Sequence, residues 1–104
     1  MCIRDSHYTV TLYARAYKDL NSIYTYIAEH LLEPNAALHL IDQLEEAILS
    51  LEHFPERGAI RKVGAYAYGR YRQLFVAHYV IVYWIQEETK EVYVVTVRYA
   101  PSHF

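Results

Sequence analysis

Apolar and polar positions change period along this chain, and each change marks an element. From His7 to Tyr13 the side chains alternate, with Tyr8, Val10 and Leu12 on one side and Thr9 and Thr11 between them. Alternation with β-branched residues predicts a short strand. Beyond it Tyr17, Leu20, Tyr24, Ile27, Ala28 and Leu31 recur at steps of three and four, which predicts an amphipathic helix from Ala14 to Leu32. Glu33-Pro34-Asn35 breaks the pattern; proline cannot continue a helix but suits the first turn of the next one. A second stripe of Ala37, Leu40, Ile41, Leu44, Ala47, Ile48 and Leu51 predicts a second helix ending near Phe54-Pro55. So short a break makes the two helices a hairpin.

Pro55 to Gly69 is irregular and holds all three glycines, with a short strand expected at Ala59 to Val63. Three strand-like runs follow: Tyr71 to Ala77, Tyr79 to Ile85 and Val92 to Tyr99. The middle run is apolar at every position, as suits a central strand covered on both faces. The connections are too short for crossovers, so these strands pair antiparallel. The fold class is therefore α+β: an N-terminal strand, a two-helix hairpin, then a three- to four-stranded antiparallel sheet. The hairpin covers one face of the sheet and leaves the other open.

At 104 residues the chain suits a single domain, placed at residues 7–104. Residues 1–6 fit neither period and are set aside as a disordered or extraneous tail. The one cysteine, Cys2, excludes an internal disulfide and fits a reducing, cytoplasmic setting. No apolar run approaches the ~20 residues that span a bilayer, and no secretory segment is read at the start, so no membrane partner is expected.

Charge sharpens the picture. Residues 1–53 hold three Lys+Arg against eight Asp+Glu, and residues 54–104 hold seven against four, so the net −2 hides a −5 half and a +3 half. From Arg57 to Gln86 no acidic residue occurs, while Arg57, Arg61, Lys62, Arg70 and Arg72 interleave with Tyr66, Tyr68, Tyr71, Phe75, Tyr79, Tyr83 and Trp84. Such a stretch suits phosphates or an acidic protein segment, or serves only as a solvated surface balancing the acidic helices. Of twelve tyrosines, Tyr17, Tyr24 and Tyr26 read as core or core-edge packing, as do Tyr79 and Tyr83. Tyr99, beside Arg98 at the end of the last strand, reads as the functional candidate. The six histidines show no metal-ligand spacing: His30, His39 and His53 are read on helices without an i, i+4 pair, and no metal or cofactor is expected. His103 reads as a candidate general acid or base or, more ordinarily, as a flexible terminal residue. The motifs of most enzyme chemistries are lacking, but RNA cleavage through its own 2′-hydroxyl needs only a proton acceptor, a donor and nearby cations.

Several pieces resemble the RelE/ParE superfamily of type II toxin–antitoxin toxins, the plasmid stabilisation type, over residues 8–104. They are Ala16-Tyr17-Lys18-Asp19-Leu20 with Ile23 and Tyr26-Ile27; Ala36-Ala37, Ile41, Leu44 and Ile48; and Leu51-Glu52-His53-Phe54-Pro55 running into Glu56-Arg57-Gly58. Tyr71-Arg72-Gln73-Leu74-Phe75-Val76, Tyr79-Val80-Ile81-Val82-Tyr83 and Val92 to Tyr99 complete the set. The likeness lies in their order and spacing. It implies a helical hairpin on a twisted antiparallel sheet and a growth-inhibiting toxin neutralised by a cognate antitoxin. It also implies one of two targets, DNA gyrase for ParE-like members or the ribosome with its mRNA for RelE-like endonucleases; an inactive relative serving as a binding partner is the third reading. If the chain is a nuclease, the resemblance and the charge pattern point to Arg61, Lys62, Arg72, Arg98, Tyr99 and His103. However, Val80 and Ala100 stand where similar nucleases carry an arginine and a histidine, and the long hairpin is ParE-like, so the gyrase reading is preferred. Antitoxin contacts are expected at Arg57, Arg61, Arg72 and Arg98 on one basic sheet face, and in a groove beside the hairpin.

Overall fold

The computed structural model describes residues 7–60 and 69–100. Strand β1 (Thr9–Leu12) leads into helix α1 (Ala14–Thr25), which closes in a π-helical turn (Tyr26–His30). Helix α2 (Pro34–Ser50) follows, with Pro34 in its first turn as expected. Then come β2 (Ala59–Ile60), β3 (Arg72–Val76), β4 (Tyr79–Gln86) and β5 (Glu91–Tyr99). The expected tail at 1–6 and the end of the expected strand at 61–63 lie outside the described residues.

The strands form one mixed sheet in the order β1-β5-β4-β3-β2. β2 to β5 are antiparallel, as their short connections require, but β1 runs parallel to β5. The sheet thus has five strands rather than three or four. The physical reason is the helical hairpin: it carries the chain from β1 to the far edge of the sheet at β2, and the antiparallel run from β2 to β5 then returns beside β1, with β5 in the parallel sense.

One face of each helix packs on the sheet. Ala16, Leu44, Ile48 and Leu51 meet Ile81, Tyr83, Val92, Val94 and Val97 in the buried core. The other face of the sheet is less open than the pattern implied, because Val80 and Val82 are buried there too. They lie on the central strand, flanked by Gln73 and Phe75 on one side and Thr96 and Arg98 on the other. Among the described residues no helix is long and apolar enough to cross a membrane.

The first helix departs from its predicted bounds. The Leu31 N–H donates to the Tyr26 carbonyl five residues back, and Leu32 follows at φ 55. The turn inserts one residue without disturbing the three- and four-residue apolar spacing, so periodicity ran through it. Tyr17 and Tyr26 are also not core: they are 63% and 53% exposed.

A second irregularity lies in β5. Tyr83 pairs with Val94 and Val82 with Thr96, so Val95 is an extra residue, a β-bulge. β1 ends at Leu12, opposite Val94, and beyond that point the outer edge of β5 has no strand partner among the described residues. Asp19 of α1 fills the gap, accepting hydrogen bonds from the Thr96 hydroxyl and, at 3.2 Å, the Val97 N–H. Thr96 is 1% exposed, so its hydroxyl has little access to water. Replacing Asp19 with Ala should leave buried donors unpaired and cost about 1–3 kcal/mol. Asp19→Asn keeps an acceptor and should cost less. Urea midpoints at constant slope will measure both.

Candidate functional site

Strand parity decides which candidate residues can act together. Facing residues of an antiparallel pair project from the same side of the sheet. Arg72 faces Tyr83, which faces Val94, and both partners belong to the core under the helices. Arg72 therefore lies on the helix side, where its Nη1 donates to the Gly58 carbonyl at 2.8 Å. Arg98 faces Val80, one residue out of step with the core residue Ile81, and so projects from the opposite side. Simple alternation from Val92 and Val94 would have put Arg98 on the helix side. The bulge at Val95 reverses it.

The expected basic face is thus split. Arg72 does not join Arg98, and Arg57 is a third separate case, exposed and donating through Nη1 to Ser50 Oγ at 2.6 Å. Arg61, Lys62 and His103 lie outside the described residues, as do Tyr66 and Tyr68.

Arg72 belongs instead to a bonded knot below α2. Tyr83, buried on β4, donates its hydroxyl to the Pro55 carbonyl at 2.7 Å and accepts the Gly58 N–H at 2.9 Å. With Arg72 on the Gly58 carbonyl, these bonds fix the loop that joins α2 to β2. Burial pushes the Tyr83 phenol above its ordinary value of 10.0, although the Gly58 N–H and the nearby Arg72 and Arg57 oppose the shift. Above pH 10.0 the unfolded phenol ionises while the buried one holds its proton, so the unfolded state binds fewer protons and stability falls with rising pH. The contribution is fully present below that pH and is lost as pH rises through the higher folded value. Tyr83→Phe should be less stable throughout but should lose less between pH 9 and pH 11, as thermal midpoints at each pH will report.

The same bulge turns Tyr99 to the helix side, into an apolar groove. This groove, of about 670 Å³, runs between the π-helical turn and the end of the sheet and is lined by Ile23, Tyr26, Ile27, Leu31, Tyr79 and Tyr99. Tyr99 packs edge-on against Tyr79 at 5.4 Å and stays 65% exposed. Burial, with Tyr99 and Tyr26 nearby, raises the Tyr79 phenol. Leu31, Leu32 and Leu38 add exposed apolar surface on the hairpin. A second groove, of about 460 Å³, lies along the hairpin between Tyr17, Leu20 and Tyr24 of α1 and Ile41, Glu45 and Leu49 of α2.

The far side of the sheet carries an aromatic ladder that the sequence did not single out. Trp84 stacks on Tyr93 at 4.9 Å, its Nε1 donates to the Tyr13 hydroxyl at 3.1 Å, and the Arg70 guanidinium lies 4.6 Å over its ring. Tyr93 donates to Glu91, and this bond together with one from Thr89 holds the Glu91 carboxyl below its usual range. A carboxylate at the ladder's end disfavours a phosphate there. For metal ligation, His7, Glu52 and His53 converge at the base of α2. His53 lies in the turn after α2 rather than on a helix.

Similarity to known proteins agrees with this architecture. Residues 10–101 match the family described as the ParE toxin of the type II toxin–antitoxin system parDE. Among solved structures, the chromosomal ParDE system of P. aeruginosa is similar at TM-score 0.74 and 18% identity, covering 92% of this chain and 99% of that one. The toxin–antitoxin complex RelBE2 of Mycobacterium tuberculosis is similar at TM-score 0.62 and 19% identity, covering 95% and 98%. A mutant of the E. coli toxin RelE in the free state gives 0.61 and 17%, covering 89% and 83%. No curated protein matches. These likenesses share the helical hairpin on a sheet, and the family match spans nearly every described element: the chain belongs to the ParE toxin family of type II toxin–antitoxin systems.

Proposed function

We propose that this toxin acts by binding a protein target, as a ParE-like inhibitor of DNA gyrase, and that a cognate antitoxin neutralises it. One observation carries the choice of target. RNA cleavage needs cations and proton-transfer groups converging on one phosphate. Here Arg72 is committed to the Gly58 carbonyl on the helix side, and Arg98 projects from the other. Val80 adds no cation between them. Tyr99 faces a groove whose described lining is mainly apolar, with His78 in it but no Lys or Arg.

The groove suits the antitoxin. A segment that folds on binding must offset its ordering entropy with apolar anchors. Tyr26, Leu31 and Tyr99 offer exposed apolar surface around a preformed depression. Because Arg72 and Arg98 do not share one face, this groove is the docking surface proposed, with Arg98 outside it and Arg72 bonded to the Gly58 carbonyl.

Primer extension on mRNA translated with the purified toxin tests the choice. The gyrase reading expects no codon-positioned cuts. Such cuts would restore the ribosome-dependent endonuclease and transfer Arg98 and Tyr99 to a catalytic role.

A further inference from the structure

We propose that His7, Glu52 and His53 form a zinc-binding site that ties the start of the first strand to the end of the second helix. Each residue presents one ligand atom, and the three atoms lie within 4.8 Å of one another. A tetrahedral zinc with bonds of about 2.0–2.1 Å sets its ligand atoms about 3.3 Å apart. His7 Nε2 and Glu52 Oε1 are 3.8 Å apart, so that edge needs only about half an ångström of closure. The His7 and His53 rings meet edge to face at 5.3 Å.

The backbone beneath the site is anchored. The Tyr8 N–H donates to the Glu52 carbonyl at 2.7 Å, lashing β1 to the turn. The Glu52 N–H donates to Leu49 and the His53 N–H to Ser50. The surroundings leave room for water on the ion, since the side chains of His7 and Glu52 are 63% and 34% exposed. Two imidazoles and one carboxylate suit a first-row divalent ion such as zinc, whereas magnesium and calcium prefer all-oxygen sets. Spacing rules miss this triad because they look for ligands close in sequence, whereas here strand and helix end are joined by folding.

An ion at this point cross-links two elements that separate on unfolding, so it stabilises the native chain by mass action. The site stands apart from the groove and from the gyrase reading. Its test is calorimetric titration of zinc chloride into the chelator-treated full chain, with a parallel thermal melt. The expected result is one ion per chain and a midpoint raised by about 10–20 °C at a hundredfold excess over Kd. His53→Gln and Glu52→Gln should each weaken binding by more than about tenfold. His7→Gln should do the same from the other end, so a folding defect at one position cannot mimic ligand loss. His39→Gln, on the exposed side of α2, should change nothing, and magnesium chloride should give no binding. Absence of saturable binding would overturn the proposal and leave His7 and Glu52 as an ordinary ion pair. Zinc affinity that survives His53→Gln, or that falls with His39→Gln, would overturn it by placing the ion elsewhere.

Discussion

Gly58→Ala should destabilise the toxin by about 3 kcal/mol, a fall of more than 10 °C in thermal midpoint for a domain of this size. A Cβ at this position would stand 2.5 Å from the Tyr83 hydroxyl oxygen and 2.6 Å from the Gln73 carbonyl oxygen. The second contact is backbone in β3 and cannot swing aside. The loop must lift from the sheet, and its bonds go with it: Gly58 N–H to Tyr83, Tyr83 to Pro55, and Arg72 to the Gly58 carbonyl. Buried polar groups left without partners cost about 1–3 kcal/mol each, so partial relaxation still leaves a large loss. Differential scanning calorimetry of both proteins decides it. A shift under 3 °C would mean that the loop is not held as described.

Tyr99→Asp should weaken antitoxin binding by about 2–4 kcal/mol, roughly 30- to 1,000-fold in Kd, while sparing the fold. Docking over the groove would bury the new carboxylate beside Ile23, Ile27 and Leu31, and among the described residues the groove lining holds no Lys or Arg to pair with it. The free toxin loses only the edge contact with Tyr79, because the side chain is mostly exposed. Tyr99→Phe separates roles. It keeps the ring, so antitoxin affinity and toxicity should persist, whereas a reaction using the phenol as acid or base would stop. Calorimetric titration and a growth assay read the two variants together.

Much of this fold was legible because it rests on period. Strand alternation marked β1, richness in β-branched residues marked β5, the three- and four-residue stripes marked both helices, and Pro34 marked the start of α2. What remained hidden lies where one residue is added. The π-helical turn at Tyr26–His30 preserves the apolar spacing that announces a helix. The bulge at Val95 is invisible in a run of β-branched residues, yet it reverses every side chain beyond it. The acid-free stretch was real, but linear charge carries no strand parity. Arg72 and Arg98 looked like one surface until register put them on opposite sides. The Tyr83 knot was hidden too, since a tyrosine among valines reads as packing and reveals neither the Pro55 carbonyl nor the Gly58 N–H. Asp19 was legible only as part of a family-like segment; its partners on β5 follow from β1 ending early.

A gyrase supercoiling assay separates a toxin that disables a protein target from one that cuts RNA. Purified toxin is titrated against gyrase and relaxed plasmid, with and without an excess of its antitoxin. Supercoiling should fall with toxin dose and recover with the antitoxin, and Arg72→Lys and Arg98→Lys should remain inhibitory because neither side chain performs chemistry. Supercoiling unchanged at saturating, growth-inhibiting toxin would contradict the gyrase reading.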